Sequence, residues 1–384
     1  MNVLVIPPHD WLAHPVSDRM YEIYERLALR HKVHVLRLKT PYKGEAARPT
    51  RCTVIEATQL PVRDLALSHV ASLPLQLREL LLQIRRAQID VVVGGSITTN
   101  LLGGLVARVH GIPYVFDCIE YYPRVAAAYY ASAIAKHLVG FTAEMATRIN
   151  CMIADLVLCV SPYQKPYVMS LGAGRTAYIP NGVDVKMFNV SAQKKTKEFV
   201  VGFVGTPEAW VDVDFMIEFV KNLSASVDVK FVLVGASLKT DLDSRLMTEM
   251  RKSNIKCEQT GFVPHKRVPE YIAEMDLCLL PYRLGNVNYL SSVKLFEYLA
   301  SGKPVLSKPY PDALRIAKDA VLFFNNMEEA LALTMDLIQG RIRHSTELAR
   351  SIAERYDWDN VSRHVESVLK DLINGRMESM DYAY

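Results

Sequence analysis

Tyr289-Leu-Ser-Ser-Val-Lys-Leu-Phe-Glu-Tyr-Leu-Ala-Ser-Gly-Lys-Pro-Val305 is the stretch around which the rest of the chain is organised. Its pattern predicts a loop, a short helix that starts at Ser291-Ser292 and stops at Gly302, and then a buried strand. Lys294 stands in the first turn, where the helix dipole favours anions over cations. An anion bound at that end explains the lysine, and Glu297, one turn later, is placed to accept hydrogen bonds from ligand hydroxyls. The alternative is a helix with an ordinary solvated Lys and Glu.

Length and composition indicate a soluble two-domain enzyme. The 384 residues exceed what one core usually holds, and half of them are hydrophobic while 22% are charged. The six cysteines form no C-x-x-C pair, which is typical of a reducing compartment and excludes a zinc cluster of that kind. Residues 1–8 lack a basic region before their apolar run, so they read as a strand rather than a signal peptide. We therefore expect a cytoplasmic protein.

Charge is shared unevenly between the two halves. Residues 1–180 carry 19 Lys and Arg against 13 Asp and Glu, whereas the remainder carries 26 against 28. A basic N-terminal half indicates an anionic partner there, such as a membrane surface, a lipid phosphate or a nucleic acid. The alternative is a chance excess, because the difference is small.

The N-terminal half has a βαβ rhythm, which predicts a parallel, doubly wound sheet. No G-x-G-x-x-G follows the first strand, where Pro7-Pro8 stand instead, and this argues against an ordinary NAD enzyme. One long helix is expected over Val125–Ile153. The expected strands are Val3–Ile6, His34–Leu38, Val54–Glu56, Asp90–Gly94, Pro113–Pro123, which ends in acids and tyrosines, and, as the last of this half, Leu156–Val160.

Leu65–Arg86 is an apolar and basic segment that we expect to be helical beyond Pro74. Its leucines alternate with Arg78, Arg85 and Arg86, so it fits an amphipathic helix that touches a membrane. Burial against the sheet is the more common fate of such a helix, and we favour it here.

The α/β rhythm restarts after a polar, lysine-rich segment at Ser191–Glu198. With a hinge near residue 181, the expected domains are residues 1–180, residues 181–357, and a final segment 358–384 that holds the last helix and a polar tail. The expected strands of the second domain include Phe199–Val204, Lys230–Val234, Ile255–Glu258 and Leu277–Pro281, and its last helices are Met327–Ile338 and Thr346–Arg355.

In this layout the C-terminal half closely resembles the retaining glycosyltransferases of family 4. The resemblance implies the GT-B fold, in which two Rossmann-like, doubly wound α/β domains face a central cleft and the last helix, here Trp358–Ile373, crosses back onto the N-terminal domain. Each motif is weak alone, but their order and spacing together are specific. They are Ile179–Asp184, Gly202–Gly205, Phe231–Gly235, Thr260–Val263, Asp276–Pro281 and Lys294–Val305.

Carried over residue by residue, the resemblance implies a donor site around the opening stretch. Glu297 matches the second glutamate of the E-x7-E motif, which holds the donor ribose. The backbone amides of Ser291, Ser292 and Val293 contact the diphosphate beside Lys294. The Gly261-Phe262-Val263 turn reads the nucleotide base, and the loop from Gly205 and Thr206 closes over the phosphates.

Three positions depart from the family pattern. The first glutamate of E-x7-E falls on Tyr289, the Arg and Lys expected after Gly205 are replaced by Thr206-Pro-Glu-Ala, and a histidine of the first domain falls on Ile119. These losses shift phosphate neutralisation onto Lys294 and the helix amides. They also make Tyr289 the residue expected to distinguish the donor sugar.

The acceptor side is expected at the carboxyl ends of the N-terminal strands, where open α/β sheets bind ligands. Asp117 and Glu120 follow one such strand and are candidate orienting groups, with Lys294 and Glu297 as the other catalytic candidates. The alternative is that each is a structural polar residue at a strand end. The remaining acceptor-side candidates are His9, Asp10, Trp11, Gly95 and Arg124.

The resemblance implies a hexosyltransferase that uses a UDP- or GDP-sugar, needs no other cofactor and binds no metal. Asp212-Val-Asp214 and Asp241-Leu-Asp243 match a D-x-D metal motif, but both stand at expected helix starts, where aspartates are common. The expected acceptor is a lipid-linked or cell-surface glycan precursor, with peripheral contact to the inner face of a membrane. Dispersed basic residues argue against nucleic acid as a partner.

Two other functions fit the same sequence. The missing first glutamate is compatible with a nucleotide-sugar epimerase or a phosphorylase on this fold, and an isomerised sugar after incubation with donor alone would identify the epimerase. It is also compatible with a non-catalytic protein that binds a sugar nucleotide, or with a scaffold whose donor site is degenerate.

Overall fold

The structure is a computed structural model that describes residues 1–14, 18–37, 39, 48–57, 65–128, 130, 132–190, 197–235, 241–283, 289 and 291–376, without the side chains of 65–71 and 73. The chain divides into two compact units. The N-terminal unit comprises Met1–Pro180 with Trp358–Tyr384, and the C-terminal unit comprises Asn181–Asp357.

The N-terminal unit is built on a parallel sheet of seven strands in the order β3-β2-β1-β4-β5-β6-β7. Its central strands are apolar and buried, as strands with helices on both faces must be. The strands are β1 Asn2–Ile6, β2 Lys32–Arg37, β3 Thr53–Glu56, β4 Val91–Gly94, β5 Tyr114–Cys118, β6 Leu156–Cys159 and β7 Thr176–Tyr178.

The prediction that β6 is the last strand of this half is wrong, because β7 pairs with it in parallel. β7 has only three residues and no apolar run, so its pairing depends on the backbone of β6 rather than on a hydrophobic signal in the sequence.

Six helices connect these strands: α1 Arg19–Leu27, α2 Leu65–Ala87, α3 Thr99–Val109, α4 Tyr122–Ala128, α5 Ala133–Ile153 and α6 Lys165–Ser170. The single helix expected over Val125–Ile153 is wrong, because α4 ends at Ala128 and Ser132 begins α5 by accepting from the amide of Ala135. α2 is helical on both sides of Pro74 rather than only beyond it, since one proline removes a single helix hydrogen bond. Leu80 and Ile84 of α2 are buried, as the packed interpretation requires.

The C-terminal unit has a parallel sheet of six strands in the order β10-β9-β8-β11-β12-β13. The alternation of strands and helices expected from the sequence is confirmed here, and the helices Met327–Ile338 and Thr346–Arg355 have the expected bounds. The strands are β8 Phe199–Val204, β9 Val229–Val234, β10 Lys256–Gln259, β11 Leu277–Leu280, β12 Val305–Ser307 and β13 Leu322–Phe323. The helices are α7 Val185–Phe188, α8 Val213–Ser224, α9 Leu242–Lys252, α10 Val268–Glu274, α11 Val293–Ala300, α12 Pro311–Ala317, α13 Met327–Ile338 and α14 Thr346–Arg355.

The last helix, α15 Trp358–Ile373, belongs to the N-terminal unit and packs against α1. Val361, Val365 and Leu369 join the same buried cluster as residues of β1 and α1, and the hydroxyl of Ser362 donates to the carbonyl of Ile23 at 3.2 Å. Across the described ranges, no helix has both the length and the apolar character needed to cross a membrane.

A carboxylate at the α1–α15 junction ties the two helices together. Glu366 of α15 accepts from Arg30 Nε and from Lys370 Nζ, each at 2.8 Å, and lies 2.8 Å from His31 Nε2. Partial burial acts to raise the pKa of Glu366, but the hydrogen bonds from Lys370, Arg30 and His31 outweigh it and lower the pKa to about 2.

Glu366→Gln is therefore expected to destabilise the protein at neutral pH by about 2 kcal/mol. Because the folded pKa lies below the unfolded value of 4.5, the stabilisation is complete above pH 4.5 and is lost as the pH falls towards 2. Urea unfolding of wild type and variant at pH 7 and pH 3 measures this, and the difference should shrink at the lower pH. Glu218→Gln, at an exposed site on α8, is the control.

Candidate functional site

The N-terminus of α11 is anchored from three directions. The Tyr298 hydroxyl accepts from the amide of Val204 at 2.9 Å, which fixes the helix to the carboxyl end of β8. The Ser292 hydroxyl lies 2.9 Å from the Tyr282 hydroxyl instead of capping the helix. Asn181 Nδ2 donates to the carbonyl of Ser291 at 2.8 Å, which gives the Pro-Asn-Gly turn a structural role. The first-turn amides of α11 are thus not satisfied by the serine at its N-cap.

Ser291 carries an orphan polar atom at this helix end. The residue is buried, and its hydroxyl has no hydrogen-bond partner in the part of the chain that the structure describes. A buried hydroxyl without a partner costs about 1–3 kcal/mol, so such groups usually have a purpose. A ligand that supplies an acceptor at the start of α11 would satisfy this hydroxyl.

Lys294 lies folded over the glycine turn that follows β8. Gly205 has a φ of +102°, and a Cβ added there would stand 2.4 Å from Lys294 Cε, so only glycine leaves room for the lysine. The Lys294 ammonium is 5.8 Å from the centre of the Phe203 ring. No carboxylate lies within 4.0 Å of it among the residues with described positions. The site therefore holds a positive charge at the positive end of a helix, which is a strong anion site.

Glu297 is buried on the same helix and is held by a residue that the sequence reasoning missed. His265 Nε2 lies 2.8 Å from Glu297 Oε1, while Oε2 has no partner in the described parts of the chain. His265 directly follows the Gly261–Pro264 turn, and its ring is 5.7 Å from that of Phe188. The sequence signal that could have identified His265 is its position directly after the turn that we expected to bind the nucleotide base. The arrangement leaves one glutamate oxygen for a ligand and fixes the other.

The other donor-side candidates lie on neighbouring turns of the same sheet edge. The Gly205 amide donates to the carbonyl of Val234 at 2.7 Å, and Gly235 bridges to Gly261, which has a φ of +65°. Phe262 is exposed, while Val263, Thr206 and Tyr289 are half-buried. The structure thus joins the turns after β8, β9 and β10, with Lys294 against the first of them.

Asp117 lies near the carboxyl end of β5, as expected, but its side chain points into the interior and is paired there. Its carboxylate is fully buried and accepts from Arg19 Nε at 3.0 Å, and Arg19 Nη1 donates to the carbonyl of Pro180 at 2.6 Å. Burial raises the pKa of Asp117, although the Arg19 guanidinium offsets part of the rise. The geometry gives Asp117 a structural role inside the N-terminal unit, because a ligand has no access to it.

Asp10 and Trp11 are also interior rather than acceptor-facing. Asp10 is nearly fully buried. Its carboxylate accepts from Arg37 Nε at 2.7 Å and from the backbone amides of Leu12 and Ala13. The Trp11 indole donates to Glu25 Oε1 at 3.1 Å. Both side chains were assigned to the acceptor side, but their side-chain partners, Arg37 and Glu25, hold them in the interior of the N-terminal unit.

The remaining acceptor-side candidates stay closer to the surface, with one exception. His9 is exposed and stacks on His14 at 4.4 Å, Arg124 is exposed, and Glu120 is half-buried. Gly95 is buried, and its carbonyl accepts from the Tyr122 hydroxyl at 2.7 Å. These residues surround the carboxyl ends of β1, β4 and β5.

The two D-x-D sequences have structural partners. Asp212 accepts from the amide of Phe215 at the start of α8, and Asp214 accepts from Arg283 Nη2 at 3.1 Å. Asp243 accepts from Gln259 Nε2 at 2.9 Å. Within the described ranges there is no group of three His, Cys, Asp or Glu side chains that could hold a metal ion.

Two protein-family models together match most of the chain. The model described as Glycosyltransferase Family 4 covers residues 16–187, and the model described as Glycosyl transferases group 1 covers residues 198–338. The chain belongs to glycosyltransferase family 4. The resemblance that the sequence motifs carried is thereby confirmed.

Individual relatives agree with this assignment. TuaH of Bacillus subtilis, named for teichuronic acid biosynthesis, is 27% identical over 227 residues, and the match covers 55% of this chain and 56% of TuaH. The chain therefore spans little more than half the length of that relative. The GDP-mannose-dependent alpha-(1-6)-phosphatidylinositol dimannoside mannosyltransferase of Mycobacterium tuberculosis is 25% identical, and the match covers 72% of each chain.

The GT-B fold of this glycosyltransferase is confirmed by solved structures. HepE of Anabaena, solved in complex with UDP, superposes with a TM-score of 0.71 at 16% identity, and the alignment covers 97% of this chain and 100% of HepE. Two parallel-sheet, Rossmann-like units are the shared architecture.

Proposed function

We propose that this family 4 glycosyltransferase moves a hexose from a UDP- or GDP-sugar to an acceptor hydroxyl with retention of the anomeric configuration. The observation that carries the proposal is the Lys294 ammonium, which lies over Gly205 at the start of α11 with no carboxylate partner among the described residues. A diphosphate there would neutralise the lysine, accept from the first-turn amides and satisfy the orphan hydroxyl of Ser291.

The proposed reaction breaks the bond between the anomeric carbon and the diphosphate oxygen. Lys294 and the α11 amides stabilise the charge that develops on the leaving diphosphate, and they are already oriented before the bond breaks. The acceptor hydroxyl attacks from the face that the diphosphate leaves, and its proton passes to a diphosphate oxygen. Glu297, held by His265, binds the ribose hydroxyls through its open oxygen.

The proposed acceptor is a lipid-linked or cell-surface glycan precursor. The names of the two curated relatives place one in teichuronic acid biosynthesis and give the other a phosphatidylinositol dimannoside. The proposed donor includes both UDP-sugars and GDP-sugars. The mycobacterial relative is named for GDP-mannose, and HepE was solved in complex with UDP.

A thermal-shift panel of UDP-, GDP- and ADP-sugars tests the donor site, followed by product analysis with the donor that stabilises the protein. We expect one nucleotide series to raise the melting temperature of wild type and to lose most of that effect in Glu297→Ala. A donor that is isomerised without any acceptor would indicate an epimerase instead. Stabilisation by none of the donors, or an equal shift in Glu297→Ala, would refute the site.

We also propose that transfer needs no metal and no cofactor beyond the nucleotide sugar, because Lys294 and the helix supply the positive potential, while Asp214 and Asp243 of the D-x-D sequences accept hydrogen bonds from protein side chains. Transfer in excess EDTA is expected to stay within about twofold of the rate in Mg²⁺. A loss of activity in EDTA that Mn²⁺ or Mg²⁺ restores would contradict this.

His265 is expected to act as a positioning residue for Glu297. Removing it in His265→Ala frees the carboxylate to rotate, so the KM for the donor should rise about tenfold while kcat changes less. His265→Gln keeps a donor near Glu297 and should recover most of the loss. Steady-state kinetics on the three proteins separate this role from a structural one, because a structural role would lower kcat and stability in both variants.

A further inference from the structure

The start of α11 lacks a bond that two other helices of the protein make. Ser132 and Ser345 stand at the N-caps of α5 and α14, and each hydroxyl accepts from the backbone amide three residues later. This is the usual role of a serine at an N-cap, because it satisfies an amide that has no partner within the helix. Ser292 stands at the N-cap of α11, yet its hydroxyl makes no capping bond and lies 2.9 Å from the Tyr282 hydroxyl.

The backbone of Ser292 does not explain the difference. Its φ and ψ are −85° and 114°, and those of Ser345 are −96° and 104°. Both pairs of angles are in the extended region that an N-cap residue normally adopts. Ser292 could therefore cap α11 after a rotation about its Cα–Cβ bond, and the contact with Tyr282 is what holds its hydroxyl in the other position.

Tyr282 is a rigid partner for this hydroxyl. It follows the carboxyl end of β11 and is 2% exposed. Its amide donates to the carbonyl of Leu280 at 3.0 Å, and its backbone bridges to Val211. The Tyr310 ring meets the Tyr282 ring edge-on, with the ring centres 5.6 Å apart. Because the backbone and the ring are both fixed, the Tyr282 hydroxyl stays in one place beside the start of α11.

Two backbone amides in the first turn of α11 remain open as a result. The Ser292 carbonyl accepts from the Leu295 amide at 3.1 Å. The amides of Val293 and Lys294 have no acceptor among the residues that the structure describes. A capping hydroxyl reaches the second or third amide of a helix, so the Ser292 hydroxyl, if released, would take the Lys294 amide or share that of Leu295.

We infer that Tyr282 is a positioning residue, which holds the Ser292 hydroxyl away from the first turn of α11 so that the diphosphate of a ligand can bind there. This role rests on the proposed function, in which the donor diphosphate binds these amides beside Lys294. The anionic ligand then meets amides that are already free, rather than amides whose bond to a serine has to be broken first. Tyr282 acts on the ligand through Ser292 and not by contact.

A simpler role for the contact is that it gives a buried phenol the hydrogen-bond partner that such a group needs. That role predicts a loss of stability in Tyr282→Phe and no other change. A second phenol also lies close by. Burial raises the pKa of Tyr310, and the Ser292 hydroxyl opposes part of that rise, so Tyr310 could hold the hydroxyl in the absence of Tyr282. The variant that releases Ser292 therefore combines Tyr282→Phe with Tyr310→Phe and is called the double phenylalanine variant.

Hydrogen exchange of the ligand-free protein, followed by mass spectrometry over residues 291–297, tests the cap itself. In the double phenylalanine variant the Ser292 hydroxyl should cap α11, so exchange in this segment should slow about fivefold relative to wild type. Adding Ser292→Ala should abolish the slowing, because no hydroxyl remains to form the cap. Tyr271→Phe, which removes a half-buried phenol of α10 in the same unit, should exchange like wild type.

Calorimetric titration with UDP, GDP and inorganic pyrophosphate measures the consequence for the ligand. The double phenylalanine variant should bind about fivefold to tenfold more weakly than wild type, because the diphosphate has to displace the cap. Adding Ser292→Ala should return the affinity to within about twofold of wild type. A purely structural role of Tyr282 predicts the opposite, since a third substitution at the site would then weaken binding further.

Two results would overturn the inference: unchanged exchange at the start of α11 in the double phenylalanine variant, and weaker binding after Ser292→Ala is added to it. Slowed exchange in the double phenylalanine variant, together with no binding of UDP, GDP or pyrophosphate by wild type, would instead refute the proposed function. The exchange measurement thus separates a failure of the donor site from a failure of the cap.

Discussion

Lys294→Ala should reduce kcat for sugar transfer about 10²–10³-fold, which is the usual loss when a preorganised group that stabilises a leaving anion is removed. The ammonium is held over Gly205 before any donor arrives, so its charge costs little reorganisation when the diphosphate departs. Steady-state transfer rates with the donor found in the thermal-shift panel measure the effect. The fold should be unchanged, because the lysine forms no ion pair within the described part of the chain.

Two further variants sharpen this prediction. Lys252→Ala removes an exposed lysine of α9 that pairs with Glu249 at 2.8 Å and should leave transfer unchanged. Lys294→Arg keeps the positive charge but places it on a planar guanidinium instead of a compact ammonium, so it should recover only part of the activity. Wild-type kcat in Lys294→Ala would show that the leaving group is stabilised elsewhere.

Asp117→Asn should destabilise the N-terminal unit by about 3–5 kcal/mol, because it leaves the Arg19 guanidinium in the interior without a counter-charge. The pair is 3.0 Å apart with both side chains almost fully buried. Urea unfolding, followed by circular dichroism, gives the change in unfolding free energy. Donor-induced shifts should persist wherever the variant is folded, since Asp117 belongs to the other unit from Lys294.

The matched comparison is an exposed ion pair of the same unit. Asp359, on α15, pairs with Arg26 Nε at 2.7 Å and is 59% exposed, so Asp359→Asn should cost less than about 1 kcal/mol. Arg19→Met combined with Asp117→Leu should be milder than Asp117→Asn alone, because no buried charge then remains unpaired. Equal stability of Asp117→Asn and wild type would contradict the buried-pair account.

The parts of the fold that the sequence could predict are those with a local signal. α13 and α14 carry amphipathic periods with N-caps at Asn326 and Ser345, α15 carries an amphipathic period, and β8 is an uninterrupted apolar run. β7 has no such signal. The break between α4 and α5 lacks glycine or proline, so the apolar period runs through it and the two helices read as one.

Side-chain roles in the site were less predictable because they depend on partners far along the chain. Asp117 meets Arg19 across 98 residues and Glu297 meets His265 across 32. A strand-end position indicated that Asp117 and Asp10 lie near the sheet edge, but not that each would be covered by a guanidinium. The lysine at the start of α11 was predictable, since a cation at that end conflicts with the helix dipole wherever no anion binds.

The position of α15 has a consequence for how the protein is made. Trp358, Val361 and Val365 complete the cluster that covers α1, yet the ribosome adds them only after the whole C-terminal unit has been synthesised. The apolar face of α1 therefore remains uncovered while more than half of the chain is translated. The second unit has all its own residues earlier, so nascent chains should finish their second unit first, which reverses the usual N-to-C order of domain folding.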